Sequence, residues 1–229
     1  MRALIFDLDG TLWDSTEAVT MLWRRELKLA GGRGDLTHAQ VMGALGLGPK
    51  PLADRLAAEL PEAQRMDVFY RVCSQEPVFI PQYGAKLYPG LIETLRDLSK
   101  TYRLMIASNC IDGYIEGFLG YAGVQDLFCD FLHPGITGLP KADNIRLLME
   151  RNGITEAAMV GDTILDYEAA VGANVPFLFA AYGFGTVPAA EYVIDNFTDL
   201  PAAAGKIFKA SRTCFRRPVF LFNSRAPGP

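Results

Sequence analysis

Cysteine and histidine are scarce in this chain. Four cysteines (Cys73, Cys110, Cys129 and Cys214) and two histidines occur in 229 residues. No cysteine pair has C-x-x-C spacing, so the pattern offers no zinc site. Scattered cysteines of this kind read as reduced, mostly buried thiols, which points to a cytoplasmic protein. Long apolar runs are missing as well. Nothing approaches the roughly 20 residues of a membrane-spanning helix. The apolar N-terminal stretch is broken by Asp7 and Asp9, so it does not read as a signal peptide. No internal repeat and no low-complexity tract is present. Basic residues are not in excess: the net charge is −4, which gives no ground for a nucleic-acid partner. The charge is uneven, however. From Pro201 onward there are six basic residues and no acidic ones, so the preceding part carries −10.

What is present is ordinary globular material, 50% hydrophobic and 21% charged. Residues 3–8 read as a short buried strand. From Ser15 the pattern turns helical. Ser15 is expected to cap a helix carrying Ala18, Val19, Leu22 and Trp23 on one face. Thr37 is expected to cap another, with Val41 and Leu45 inward. Gly46–Pro51 breaks the pattern, and Leu52–Leu60 and Met66–Cys73 read as further helices. Short apolar strands and helices then alternate: strands at Arg103–Ala107, Leu127–Leu132, Ala158–Val160, Pro176–Ala181 and Val193–Ile194, with helices at Leu91–Lys100, Asp112–Gly120, Lys141–Asn152 and from Tyr167. This alternation predicts an α/β fold with a doubly wound parallel sheet. The expected organisation is a core of residues 1–14 and 86–210, a helical insertion at 15–85, and a basic C-terminal tail at 211–229 with the apolar run Pro218–Phe222.

The most informative stretch is Phe6-Asp7-Leu8-Asp9-Gly10-Thr11. An apolar strand ends in two carboxylates two residues apart, which an extended backbone would send to the same side. Ligands of open α/β sheets bind at the carboxyl ends of strands. Two anions held together call for a proton or a cation, and hard oxygen ligands suit Mg²⁺. Three further sites fall at strand ends or helix starts: Ser108-Asn109, Lys141, and Asp162 with Asp166 in Gly161-Asp162-Thr163-Ile164-Leu165-Asp166. Taken singly, Ser108-Asn109 and Gly-Asp-Thr read as helix caps, and Lys141 as a solvated charge. Their order, strand end after strand end, argues for one shared edge.

These residues resemble the haloacid dehalogenase superfamily, in its phosphohydrolase branch. Asp7-Leu8-Asp9-Gly10-Thr11, Ser108, Lys141 and Gly161–Asp166 match its four motifs in order over about residues 1–200. Tyr182-Gly183-Phe184-Gly185 is similar to the phosphoglycolate-phosphatase-like subgroup. The helical insertion resembles the family's cap domain. Lys141 is followed by Ala142, where many relatives have Pro; the ammonium is retained.

The resemblance implies a Mg²⁺-dependent phosphatase acting on a small phosphorylated metabolite through an aspartyl-phosphate. It implies Asp7 as nucleophile, Asp9 as acid and base, and catalytic support from Ser108 and Lys141. Gly10, Thr11 and Asn109 would line the phosphate cradle. Mg²⁺ would be held by Asp7, Asp9 through its backbone carbonyl, Asp162 and Asp166. Dehalogenase chemistry is disfavoured, because Asp9 supplies an acid that the dehalogenases lack. The alternatives are a phosphomutase of the β-phosphoglucomutase type and an inorganic pyrophosphatase. A non-catalytic phosphate-binding regulator is disfavoured by the completeness of the motifs. Arg24, Lys50 and Arg55 in the insertion are candidates to meet an anionic leaving group, but each reads first as a solvated charge. The oligomeric state is open between monomer and homodimer, and no membrane partner is expected.

Overall fold

The computed structural model describes residues 1–44, 47–188 and 190–214. Six parallel strands form one sheet in the order β5-β4-β1-β6-β7-β8. They are β1 (Arg2–Phe6), β4 (Arg103–Ala107), β5 (Phe128–Leu132), β6 (Glu156–Gly161), β7 (Phe177–Ala180) and β8 (Tyr192–Ile194). The remaining two strands, β2 (Trp13–Asp14) and β3 (Lys86–Leu87), pair antiparallel in a separate ribbon. Between them lie four helices: α1 (Thr16–Leu29), α2 (His38–Met42), α3 (Pro49–Leu56) and α4 (Glu62–Tyr83). The chain thus leaves the sheet region and returns to it through one short ribbon.

β1 shows why the sheet is buried on both sides. Its side chains alternate by strand geometry. Leu4 and Phe6 join one apolar cluster and Ala3 and Ile5 join the other, all fully buried. The first cluster takes in Leu91 and Leu95 of α5 (Leu91–Ser99), Phe118 of α6 (Tyr114–Ala122) and Phe208 of α10 (Leu200–Cys214). The second takes in Ile145 and Leu148 of α8 (Lys141–Arg151) and Ala170 and Ala173 of α9 (Ile164–Ala173). Helices therefore cover both faces, as expected of a doubly wound sheet. After β1 the chain builds β4 and β5 on one side, then crosses to β6 on the other. That reversal places a crevice at the carboxyl end of β1.

Several local expectations change. Ser15 does not cap α1 with its side chain. Asp14 Oδ1 instead accepts from the Thr16 amide at 3.0 Å and from the Thr16 hydroxyl at 2.5 Å, because a carboxylate is the stronger acceptor. Thr37 caps α2 as expected, in a reciprocal capping box with Gln40. The helix expected at Met66–Cys73 is part of a 22-residue α4 that runs through Pro77 and Pro81. Each proline removes a backbone donor, and burial of Phe79 and Ile80 beside them offsets that loss. Two short helical segments, α7 (Pro134–Thr137) and a 3₁₀ turn (Phe197–Asp199), complete the list. The expected inward Leu45, part of the Gly46–Pro51 break and the tail run Pro218–Phe222 lie outside the described residues, whereas α10 carries the chain to Cys214.

Phe6 sits one residue before Asp7 and packs against Phe128 and Phe197, with ring centroids 6.0 and 6.3 Å away. Phe6→Ala should cost about 3–5 kcal/mol, read as a lower urea midpoint at unchanged m. A cost under 1 kcal/mol would show that the strand is not anchored there.

Candidate active site

Three strand ends and two helix starts converge. Asp7 follows β1, Ser108 follows β4, Asp162 follows β6, Lys141 opens α8, and Asp166 lies in the first turn of α9. All five are buried. The Lys141 ammonium donates to Asp7 Oδ1 and, at 2.5 Å, to Asp166 Oδ1. Carboxylate oxygens of Asp7, Asp162 and Asp166 all lie within 4.8 Å of one another.

Each carboxylate is held by its own set of donors. Asp166 Oδ2 accepts from the amides of Asp162 and Thr163 and from the Thr163 hydroxyl, at 3.2, 3.0 and 2.6 Å. Asp166 is thus the return arm of a capping box on α9. Asp162 accepts from the Thr11 hydroxyl at 3.2 Å and from the Phe184 amide at 2.7 Å. Gly10 has φ +79, and a Cβ there would lie 2.1 Å from Asp162 Oδ2. Only glycine lets the loop turn this close to the carboxylate. The Gly10 and Thr11 amides are taken by the carbonyls of Trp13 and Leu8. Asn109 is exposed beside buried Ser108.

Asp9 does not join the cluster. β1 ends at Phe6 and the chain turns at Gly10, so the two-residue alternation that would align Asp7 with Asp9 does not continue. Asp9 Oδ1 instead accepts from Trp13 Nε1 (2.9 Å), Ser15 Oγ (2.5 Å) and Tyr114 OH (2.8 Å). Sequence reasoning missed Trp13 and Tyr114 in this role. Phe184, in the Tyr182–Gly185 segment that carries the subgroup resemblance, has a role the sequence does not signal: its amide donates to Asp162. The signal for Tyr114 was absent, because it lies 105 residues from Asp9 in the chain.

Burial pushes the Asp7 carboxyl well up, helped by Asp166 and Asp162 and opposed by Lys141. Burial likewise raises Asp9, while its three hydrogen bonds pull it down. Asp162 is pushed up to about 7 by burial, then by Asp166. Burial alone would lower the Lys141 ammonium, but Asp166 and Asp7 outweigh it and hold it charged. Three carboxylates against one ammonium leave a formal −2 in a buried volume. A divalent cation with a preference for hard oxygen fits that donor set.

The family profile of the haloacid dehalogenase-like hydrolases matches residues 1–174. The chain is 32% identical over 218 residues to a phosphoglycolate phosphatase of Agrobacterium fabrum, covering 87% of this chain and 90% of that one. It is 28% identical over 222 residues to a phosphoglycolate phosphatase of Rhodospirillum rubrum, covering 87% and 89%. Among solved structures, a haloacid dehalogenase-like family protein from Streptococcus pneumoniae is similar with a TM-score of 0.76 at 22% identity, over 87% of this chain and 96% of that one. CbbY from Rhodobacter sphaeroides in complex with phosphate is similar with a TM-score of 0.69 at 19% identity, over 86% and 95%.

The raised Asp162 carboxyl has a consequence for stability. Without metal, the native state holds a proton here that the unfolded chain releases near pH 3.9. Stability therefore falls as pH rises from about 4 toward about 7. Melts of chelator-treated protein should show a lower Tm at pH 8 than at pH 5, and Asp162→Asn should shrink that drop. An equal drop in both proteins would remove Asp162 as its source.

Proposed function

Because the chain belongs to the haloacid dehalogenase-like hydrolases, we propose that this phosphoric monoester hydrolase uses Mg²⁺ and an aspartyl-phosphate to hydrolyse a small phosphorylated metabolite. The observation that carries the reading is the buried Lys141 ammonium spanning Asp7 and Asp166 beside Asp162, at the carboxyl edge of the sheet. The phosphoglycolate phosphatase names of the relatives support a small carbon-linked phosphate as substrate.

Asp7, Asp162 and the Asp9 carbonyl would hold the ion. Asp166, with both oxygens already bonded, would steady the site from behind or complete the ligand set. The bound ion supplies positive charge against the phosphoryl oxygens. Asp7 Oδ2 is the oxygen left for in-line attack, since Oδ1 is bonded to Lys141. Lys141 opposes the rise that burial imposes on the Asp7 carboxyl and would offset the incoming dianion. Asp9, whose carboxyl is raised by burial, would give a proton to the leaving oxygen and later take one from the attacking water. Ser108 and Asn109, which follow β4, would donate to the phosphoryl oxygens. Gly10 and Thr11 act through Asp162, one by making room and the other by donating to it.

Residues 15–85 form the cap in this reading, and 1–14 with 86–210 the catalytic core. Closure of the cap over the core would exclude water from the phosphoryl group. We read the protein as cytoplasmic.

Phosphate release from a panel of small phosphoesters and pyrophosphate, with and without Mg²⁺, tests the proposal. Release should require Mg²⁺. Asp7→Asn should lower kcat by about 10⁴-fold or more, and Asp9→Asn by about 10²–10⁴-fold, with both variants folded. Wild-type turnover by Asp7→Asn would refute the mechanism. Pyrophosphate as the best substrate would replace a carbon-linked ester with the pyrophosphatase alternative. Bisphosphate-stimulated phosphoryl transfer without net release would replace hydrolysis with a mutase reaction.

A further inference from the structure

Three donors converge on a single oxygen of Asp9. Trp13 Nε1, Ser15 Oγ and Tyr114 OH donate to Oδ1 at 2.9, 2.5 and 2.8 Å. A carboxylate oxygen has two lone pairs. Oδ1 is therefore saturated, and a proton on this carboxyl must sit on Oδ2. The donors come from β2, from the residue before α1 and from the first turn of α6. Turning the carboxyl group would break all three bonds together, so the grip on Oδ1 fixes the direction of Oδ2.

Tyr114 is the donor that the fold supplies and chain proximity does not. Trp13 and Ser15 follow Asp9 by four and six residues, whereas Tyr114 lies 105 residues away. Its ring is buried and meets the Trp13 ring at 78°, with centroids 5.6 Å apart. Trp13 also meets Phe118, one turn further along α6, at 5.2 Å. The helix that carries both rings packs closely on α4. A Cβ at Gly117 would sit 2.7 Å from the Pro77 carbonyl oxygen, and one at Gly113 would lie 3.4 Å from Pro77 Cβ. A buried tyrosine hydroxyl needs a partner, but a backbone carbonyl serves that need. Tyr121 of the same helix donates to the Ala85 carbonyl at 2.8 Å. Delivery of the Tyr114 hydroxyl to a carboxylate is thus more than the packing of α6 requires.

We propose that Tyr114 is a positioning residue for leaving-group protonation: by donating to Oδ1 it holds Asp9 with Oδ2 turned to the leaving oxygen. The inference rests on the reading of Asp9 as the acid. In that step the P–O bond to the leaving oxygen breaks as Asp7 bonds to phosphorus. The leaving oxygen keeps the electron pair of the P–O bond and takes the proton from Oδ2. Asp9 is left as a carboxylate, and the three donors stabilise it.

The test is kcat/KM for 2-phosphoglycolate and for 4-nitrophenyl phosphate, with Mg²⁺, in wild type, Tyr114→Phe, Ser15→Ala, Asp9→Asn and Asp9→Asn/Tyr114→Phe. The alkoxide leaving group of the first ester needs a proton, and the nitrophenolate of the second does not. Tyr114→Phe keeps the ring and loses the donor. It should lower kcat/KM for 2-phosphoglycolate by about tenfold or more, through kcat with KM nearly unchanged, and for 4-nitrophenyl phosphate by less than about threefold. Ser15→Ala should show the same split. In the double variant the loss should be no greater than in Asp9→Asn alone, as expected of a residue that acts through Asp9. Equal losses on the two esters overturn the proposal, as does unchanged 2-phosphoglycolate turnover in both folded single variants, or a further loss in the double variant. Wild-type release from 4-nitrophenyl phosphate alone overturns it too. Asp9→Asn with wild-type turnover of 2-phosphoglycolate would overturn the reading of Asp9 as the acid as well. A crippled Asp9→Asn beside an unaffected Tyr114→Phe overturns this inference and leaves that reading standing.

Discussion

The buried ammonium of Lys141 is the interaction on which the site depends. It is bonded to Asp7 after β1 and to Asp166 in α9, and all three side chains are buried. A buried charge without its partner is strongly destabilising. The sheet register that pairs Ile5 with Met159 and Phe6 with Val160 is therefore tied to the position of α8 and α9. The ammonium sits between two carboxylates of like sign, and it offsets part of their mutual repulsion in a desolvated volume. A residual negative charge persists after that pairing, which makes the site receptive to a cation and not merely a structural ion pair.

Around Asp162 the same constraint is met by backbone. Gly10 and Gly183 approach it so closely that a Cβ at either would lie 2.1 and 2.3 Å from its side chain. The segment Tyr182–Gly185 closes over it, with the Tyr182 hydroxyl donating to the Thr11 carbonyl at 2.9 Å and the Phe184 amide donating to Asp162. Two loops far apart in sequence are thus locked by one carboxylate. Such a loop pair has little freedom to move, which suits groups that must be placed to a fraction of an ångström before reaction.

The sheet was legible because its strands are short apolar runs ended by carboxylates or small residues. Arg103–Ala107 has the same limits in sequence and structure. Lys141 was placed at the start of a helix, and it is there. What could not be read was long-range choice of partner. Ser15 has the local signature of a cap, yet its hydroxyl goes to Asp9, because the neighbouring Asp14 is a better acceptor for the helix amide. Pro77 and Pro81 have the local signature of a helix end, yet α4 continues, because its close packing on α6 needs tertiary contacts that no local window contains. The two-residue ribbon β2–β3 is too short to have any pattern.

The two aspartates of the first motif therefore live in different mechanical settings. Asp7 belongs to the rigid sheet edge, fixed by Lys141. Asp9 belongs to the junction: its donors are Trp13 of the ribbon, Ser15 at the entry to α1, and Tyr114 of α6. Two of these three lie on the path by which the helical insertion connects to the core, and the third lies under α4. A nucleophile benefits from a fixed position, whereas an acid that gives and then takes a proton must follow the leaving group and then water. Under the proposed roles of Asp7 as nucleophile and Asp9 as acid, placing the first in the sheet and the second at the junction separates those demands. It also ties the Asp9 carboxyl, but not that of Asp7, to the residues of the junction. Under the same roles, a change in the helical part would reach the leaving-group side through Asp9 without disturbing the charge balance that Lys141 sets at the sheet edge.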